Sequence, residues 1–182
     1  MEKPIWRRRA SSYVVNSPYM RLRADDVELP NGTIVRDYYV RESRGFVTVF
    51  PLTGDDRVVL VRQYRYGTDA IHLELPAGML LDDEDPQACA LRELAEETGY
   101  QAERCEFVGD YFPEPVRSAA RAYLYVAYDA RLAGAPQPDA TEHLEVEVAS
   151  LARFREMLRD GTIDAGGSVA GGYRALEHLG RL

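Results

Sequence analysis

Residues Gly78 to Tyr100 read GMLLDDEDPQACALRELAEETGY, and Arg92, Glu93, Glu96 and Glu97 crowd four charges into six consecutive positions. Asp85 is placed to cap a helix, Pro86 suits its first position and Gly99 suits its end, so the spacing predicts a helix over residues 86–98. At about 100° per residue, Glu93, Glu96 and Glu97 share one arc of about 100°. Ala88, Leu91, Leu94 and Ala95 gather on the opposite side, the face expected to pack on a sheet. Like charges three or four positions apart cost roughly 0.2–0.5 kcal/mol per pair, and these lie toward the helix end where the dipole disfavours them. A solvated acidic face would accept that arrangement. So would a divalent cation, because magnesium and manganese take carboxylate oxygens. Arg92 is expected to pair with Glu84 from the preceding loop.

Outward from this helix the chain reads as β structure. YMRLRADDVEL and TIVRDYYVRE flank Pro30-Asn31-Gly32, a hairpin signal, and FVTVFPL and RVVLVRQY flank a turn at residues 53–56. RCEFVGDYF, RAYLYVAYDARL and LEVEVAS continue the strands. Ser150 is placed to cap a helix LARFREMLRD that stops at Gly161, and Ser168 to start a last helix weakened by Gly171-Gly172. Residues 1–45 are expected to form a β-rich extension and residues 46–182 a mixed α/β body.

The 182 residues are 46% hydrophobic, enough for a core, and the net charge of −8 opposes nucleic acid and anionic membranes. Trp6-Arg7-Arg8-Arg9 in such a chain reads as solvated charge, and no run approaches the ~20 apolar residues of a membrane span. The opening MEKPIWRRRASSYVV lacks the apolar core of a signal peptide. Cys89 and Cys105 read as buried, reduced thiols. A cytoplasmic protein is expected. His72, His143 and His178 do not cluster, and Tyr19, Tyr64 and Tyr66 read as packing residues that could also stack on a base.

Gly78, Glu84 and the run Arg92-Glu93-Leu94-Ala95-Glu96-Glu97-Thr98-Gly99 resemble the Nudix box at each charged and glycine position. Tyr100, where a smaller aliphatic residue is usual, is the one departure. RQYR (residues 62–65) and ELPAG (residues 74–78) resemble the branch that cleaves ADP-ribose and other nucleoside diphosphate sugars. The resemblance implies a Nudix α/β/α sandwich with a mixed β-sheet and an N-terminal antiparallel β extension, through which members of that branch form homodimers. It implies hydrolysis of a pyrophosphate by a metal-activated water, giving a nucleoside monophosphate and a sugar phosphate. Glu93, Glu96, Glu97 and the carbonyl of Ala77 would hold Mg2+ or Mn2+, with Glu96 and Glu97 catalytic and Gly78, Glu84, Arg92 and Gly99 supporting the box.

A further glutamate from a late loop often acts as base in that branch. Glu142 is the match here and Asp139 the runner-up, whereas Glu145 and Glu147 alternate as the polar face of a strand. Pro115 matches a proline of the branch, while Ala120 stands where many ADP-ribose pyrophosphatases carry glutamate, a departure that removes a substrate contact and points away from ADP-ribose toward another nucleoside diphosphate sugar, such as a GDP- or UDP-linked one. Arg65 and Arg36 are the arginines placed to hold the diphosphate, Arg36 only if the hairpin reaches a partner's site. The alternatives are hydrolysis of nucleoside triphosphates or dinucleoside polyphosphates, or a non-catalytic nucleotide-sugar sensor, which would usually have lost box glutamates.

Overall fold

The computed structural model describes residues 5–137 and 143–182, so Asp139 and Glu142 lie outside the described residues. The chain forms two compact units, Met1–Arg44 with Phe112–Ala120, and Gly45–Tyr111 with Arg121–Leu182.

In the first unit β1 (Arg7–Asn16), β2 (Arg21–Glu28) and β3 (Ile34–Glu42) make an antiparallel sheet in that order. The β2–β3 turn forms where Asn-Gly placed it: Gly32 adopts φ 83°, and the Thr33 N–H donates to Asn31 Oδ1 at 3.0 Å. β1 was not anticipated as a separate strand, because RRRASSYVV lacks strict apolar alternation. It is exposed along its whole length and, among the described residues, pairs on one side only, with β2. The segment Phe112–Ala120 lies against β3, with the Arg41 N–H donating to the Arg117 carbonyl at 2.7 Å.

The second unit carries β4 (Phe46–Pro51), β5 (Arg57–Arg65), β6 (Ala70–Glu74), β7 (Ala77–Met79), α1 (Pro86–Thr98), β8 (Tyr100–Gln101), β9 (Arg104–Tyr111), β10 (Ala122–Tyr128), β11 (Arg131–Leu132), β12 (Leu144–Ser150), α2 (Leu151–Asp160) and α3 (Gly166–His178). A mixed sheet runs β7-β4-β10-β9, with β4 and β10 parallel and the outer pairs antiparallel. An antiparallel sheet runs β12-β5-β6, and β8 pairs with β11.

Alternation along β4 divides the core. Val47 and Val49 pack with Cys89, Ala90 and Leu94 of α1. Phe50 packs with Phe154 and Leu158 of α2 and with Ala175 and Leu176 of α3. Helices therefore cover both faces, and the body is an α/β/α sandwich.

The caps of α1 form as the sequence specifies: Asp85 accepts from the N–H groups of Gln87 and Ala88, and Gly99 takes a left-handed φ of 73°. Ser150 accepts from the Arg153 N–H, and Gly161, at φ 80°, ends α2. α3 differs. It begins at Gly166 after Ala165, and Ser168 lies inside its first turn, where Oγ accepts from the Leu75 N–H at 2.9 Å. The serine ties the helix to the chain beyond β6 instead of capping it, a long-range demand that overrides local propensity. Gly171 and Gly172 open the way for close packing: a Cβ on Gly171 would meet Thr48 at 3.0 Å, and one on Gly172 would meet Phe154 at 2.8 Å.

Gly99 and Gly161 provide a matched test. A Cβ at Gly99 would lie 2.3 Å from the backbone oxygen of Gly134, whereas one at Gly161 meets nothing within 4 Å. Gly161→Ala is expected to cost only the left-handed penalty of about 1–2 kcal/mol, and Gly99→Ala roughly 1–3 kcal/mol more. Urea denaturation of both variants checks this; equal losses would remove the clash from the account.

Candidate active site

α1 packs with two of its glutamates, Glu93 and Glu97, turned inward. Its buried residues are Cys89, Ala90, Leu94, Glu97 and Thr98, and Glu97 is only 3% exposed. The expectation that Ala88, Leu91, Leu94 and Ala95 face the sheet holds for Leu94, which is buried, and for Leu91, which packs against the Val47 and Val49 cluster, but Ala88 is exposed and Ala95 half-buried. The reason is polar. A buried carboxylate needs hydrogen bonds in place of water, and Glu97 Oε2 accepts one from the Ala77 N–H of β7 at 3.0 Å. Next to it, Glu93 lies so close over β7 that a Cβ on Gly78 would fall 1.8 Å from Glu93 Oε1. Only glycine allows that approach. Two carboxylates are thus gathered on the Ala77-Gly78 backbone.

Arg92 binds the cluster together. Nε and Nη2 donate to the two oxygens of Glu84 at 2.7 and 3.0 Å, and Nη1 donates to Glu93 and Glu96, each at 2.8 Å. Nη2 also reaches the Met79 carbonyl at 3.3 Å. The guanidinium offers five N–H groups in a fixed fork, so one half-buried cation serves three carboxylates. Its charge-assisted bond holds the Glu84 carboxyl at about 2, below its ordinary 4.5, helped by the Leu81 N–H. The same contacts raise the Arg92 pKa. Cys89, against this cluster, is held as a thiol because burial pushes it up to about 12; burial likewise raises Cys105, to about 11.

The donor set suits a hard cation. Glu93, Glu96 and Glu97 offer oxygens, and Glu93 and Glu97 lie against the Ala77-Gly78 backbone. Among the described residues no three acidic, histidine or cysteine side chains already converge as a ligand set. Arg92 occupies the space between Glu93 and Glu96.

Arg65 forks onto Glu74, Nε to Oε1 and Nη2 to Oε2, both at 2.8 Å. Sequence reasoning gave Glu74 no role; its position in ELPAG, within cross-strand reach of RQYR, was the available signal. Arg65 and Glu74 share a cavity of about 260 Å³ with Ala77 and Gly78. Arg36 belongs to the first unit, pairs with Asp26 at 3.1 Å and is 76% exposed in its side chain. Glu147 pairs with Arg62 at 2.5 Å, as a polar strand face does. His72 bridges Thr68 and Asp164, each at 2.7 Å.

The Glu84–Arg92 fork carries a pH signature. Because the folded carboxyl sits at about 2 instead of 4.5, its stabilisation is complete above about pH 4.5 and is lost as pH falls toward 2. Glu84→Gln is expected to lower Tm at neutral pH, with the gap to the wild type narrowing on acidification through that window. A constant gap, measured by calorimetry across pH, would mean that the pair contributes no charge-dependent stability.

Comparison with known proteins agrees with this geometry. Residues 43–167 match the NUDIX domain, and residues 6–40 match the nucleoside diphosphate sugar hydrolase N-terminal domain. A methanol dehydrogenase activator of Bacillus methanolicus is 42% identical over 59% of this chain, and the chain spans 58% of that relative's length. GDP-mannose pyrophosphatase of Salmonella typhimurium is 28% identical over 86% of this chain and 87% of its own. The crystal structure of an ADP compounds hydrolase superposes with a TM-score of 0.86 at 25% identity, covering 100% of this chain and 98% of the other. Nudix hydrolases generally require a divalent metal ion. With its box folded as described and the domain matched over most of its length, the chain belongs to the Nudix family.

Proposed function

We propose that this protein hydrolyses the pyrophosphate bond of ADP-ribose or another nucleoside diphosphate sugar, releasing a nucleoside monophosphate and a sugar phosphate. The observation that carries this reading is the gathering of Glu93 and Glu97 on the Ala77-Gly78 backbone beside the Arg65 cavity. The match of residues 6–40 to the N-terminal domain of nucleoside diphosphate sugar hydrolases favours this substrate class over triphosphates.

Glu93, Glu96, Glu97 and the Ala77 carbonyl would hold Mg2+, with Mn2+ as a substitute. When bound, the ion supplies an acidified water and neutralises charge on the diphosphate. Arg92 keeps Glu93 and Glu96 oriented, and the Ala77 N–H fixes one oxygen of Glu97. Gly78 gives Glu93 its place, Glu84 fastens Arg92 to the preceding loop, and Gly99 ends the helix that carries them all. Arg65, held by Glu74, and Arg36, acting from a partner's hairpin, would face the phosphates. Glu142, or Asp139 in its place, would serve as base from the late loop.

Homodimerisation through residues 1–45 belongs to the same reading. β1 is a ten-residue edge strand, and Trp6, Val14 and Tyr39 of that unit are exposed. An uncovered edge with apolar side chains is a template for a second chain. No helix among the described residues is long and apolar enough to cross a membrane, and two buried free thiols suit the reducing cytoplasm, where we place the enzyme.

Phosphate release, with a coupled phosphatase, from ADP-ribose, GDP-, UDP- and CDP-sugars, triphosphates and dinucleoside polyphosphates tests the activity. Magnesium-dependent turnover of a nucleotide sugar, abolished by chelator, is expected; turnover of triphosphates alone would overturn the reading. Glu97→Gln keeps an oxygen acceptor for the Ala77 N–H and removes the negative charge, with an amide nitrogen in place of the other oxygen. It should cut turnover roughly 100-fold or more with Tm nearly unchanged. Sedimentation is expected to give a dimer that Val14→Glu dissociates; a monomeric wild type would refute the assembly.

A further inference from the structure

The strand β4 reads FVTVFP, and its one hydroxyl, Thr48, stands where alternation calls for an apolar side chain facing α3. Thr48 is 2% exposed, and its Oγ1 has no hydrogen-bond partner among the described residues. A buried orphan hydroxyl is a standing cost that an alanine or valine would not incur. Thr48 borders the 260 Å³ cavity together with Phe46, Arg65, Glu74, Gly167 and Ser168, its hydroxyl buried at the wall, and the Ala77-Gly78 backbone closes the side toward Glu93.

Two further features belong to the same space. α3 starts in this wall with no side chain capping it, since Ala165 occupies the cap position and the Ser168 oxygen is turned to Leu75. Helix N–H groups left this way seek an oxygen acceptor. Gly167 also leaves room that packing does not require. A Cβ there would lie 3.5 Å from Thr48 Oγ1 and 3.7 Å from the Phe46 ring, ordinary contact distances, so an alanine would fit. Hydroxyl, uncapped helix end and dispensable space converge on one small chamber.

We propose that this chamber is the subsite for the sugar that lies across the diphosphate from the nucleoside, its hydroxyl oxygens accepting from Thr48 Oγ1 and from the first turn of α3. The inference rests on the nucleotide-sugar reading above and assigns Thr48 as a specificity-determining residue. Charge favours a neutral polyol over a phosphate, because the Glu74 carboxylate lies in the chamber wall.

The test is calorimetric binding, in chelator, of two matched pairs, ADP-ribose with ADP and GDP-mannose with GDP. Thr48→Val removes the hydroxyl at nearly constant shape, and Gly167→Ala fills the space above it. Both variants should keep or raise Tm. Each should weaken the preferred sugar-bearing nucleotide roughly tenfold, the loss of about one hydrogen bond, and leave its sugar-free partner unchanged. Equal weakening within a pair, or no weakening at all, overturns the subsite. So does a wild type that gains no affinity from the sugar. Hydrolysis by the wild type is scored separately. Turnover with both variants unaffected sinks the subsite alone, whereas differential binding without any turnover sinks the pyrophosphatase reading and leaves the subsite standing.

Discussion

The placement of one guanidinium among three carboxylates governs the second unit. Without Arg92, Glu84, Glu93 and Glu96 would repel one another at the margin of a core that already encloses Glu97. Removing a charge from such a cluster strands its partners, and a stranded buried charge is far more costly than a surface pair is valuable. The remaining features follow from seating this cluster. Gly78 must lack a side chain, the Ala77 N–H must be available, and α1 must end at a residue that tolerates φ 73°. The negative charges that looked uneconomical along the helix are the reason for its position.

α1 was legible to the residue because its signals are local: Asp85, Pro86 and Gly99 act within one turn of the ends they define. Which side of it would be buried was legible only in part, through Leu91 and Leu94. A helical wheel gives the arc of Glu93, Glu96 and Glu97 but not the donors awaiting it, and the Ala77 N–H lies on a strand twenty positions earlier than Glu97. Ser168 misleads for a related reason. Its hydroxyl is as suited to a cap as that of Ser150, but a buried N–H of Leu75 claims it. Glu74 was passed over because an acidic residue in a strand looks like solvent-facing charge until its cross-strand arginine is known. Local chemistry was readable wherever the partner was local.

An overall charge of −8 sets the electrostatic terms for a diphosphate site. Arg92 is committed to carboxylates and Arg65 to Glu74, so neither presents a bare cation to an anion. On the reading proposed above, a metal ion held by the box glutamates would supply most of the attraction for phosphate, with Arg65 beside it. Each guanidinium is forked onto carboxylate oxygens, and a fork fixed at two points loses little entropy on binding.

β4 connects these requirements. Val47 and Val49 on one face hold α1, and so fix where the glutamates lie. Thr48 on the other face, opposite Gly167 and Gly171 of α3, borders the chamber behind Gly78. Because side chains alternate strictly along a strand, a shift of register by one residue would exchange these faces, placing the hydroxyl under α1 and a valine in the chamber. The parallel pairing with β10 and the antiparallel pairing with β7 hold that register from both sides, setting Val47 opposite Gly78 and Thr48 opposite Ala77. The geometry of the carboxylate cluster and the chemistry of the neighbouring chamber are thus fixed by the same ladder of backbone hydrogen bonds, and neither can drift without the other.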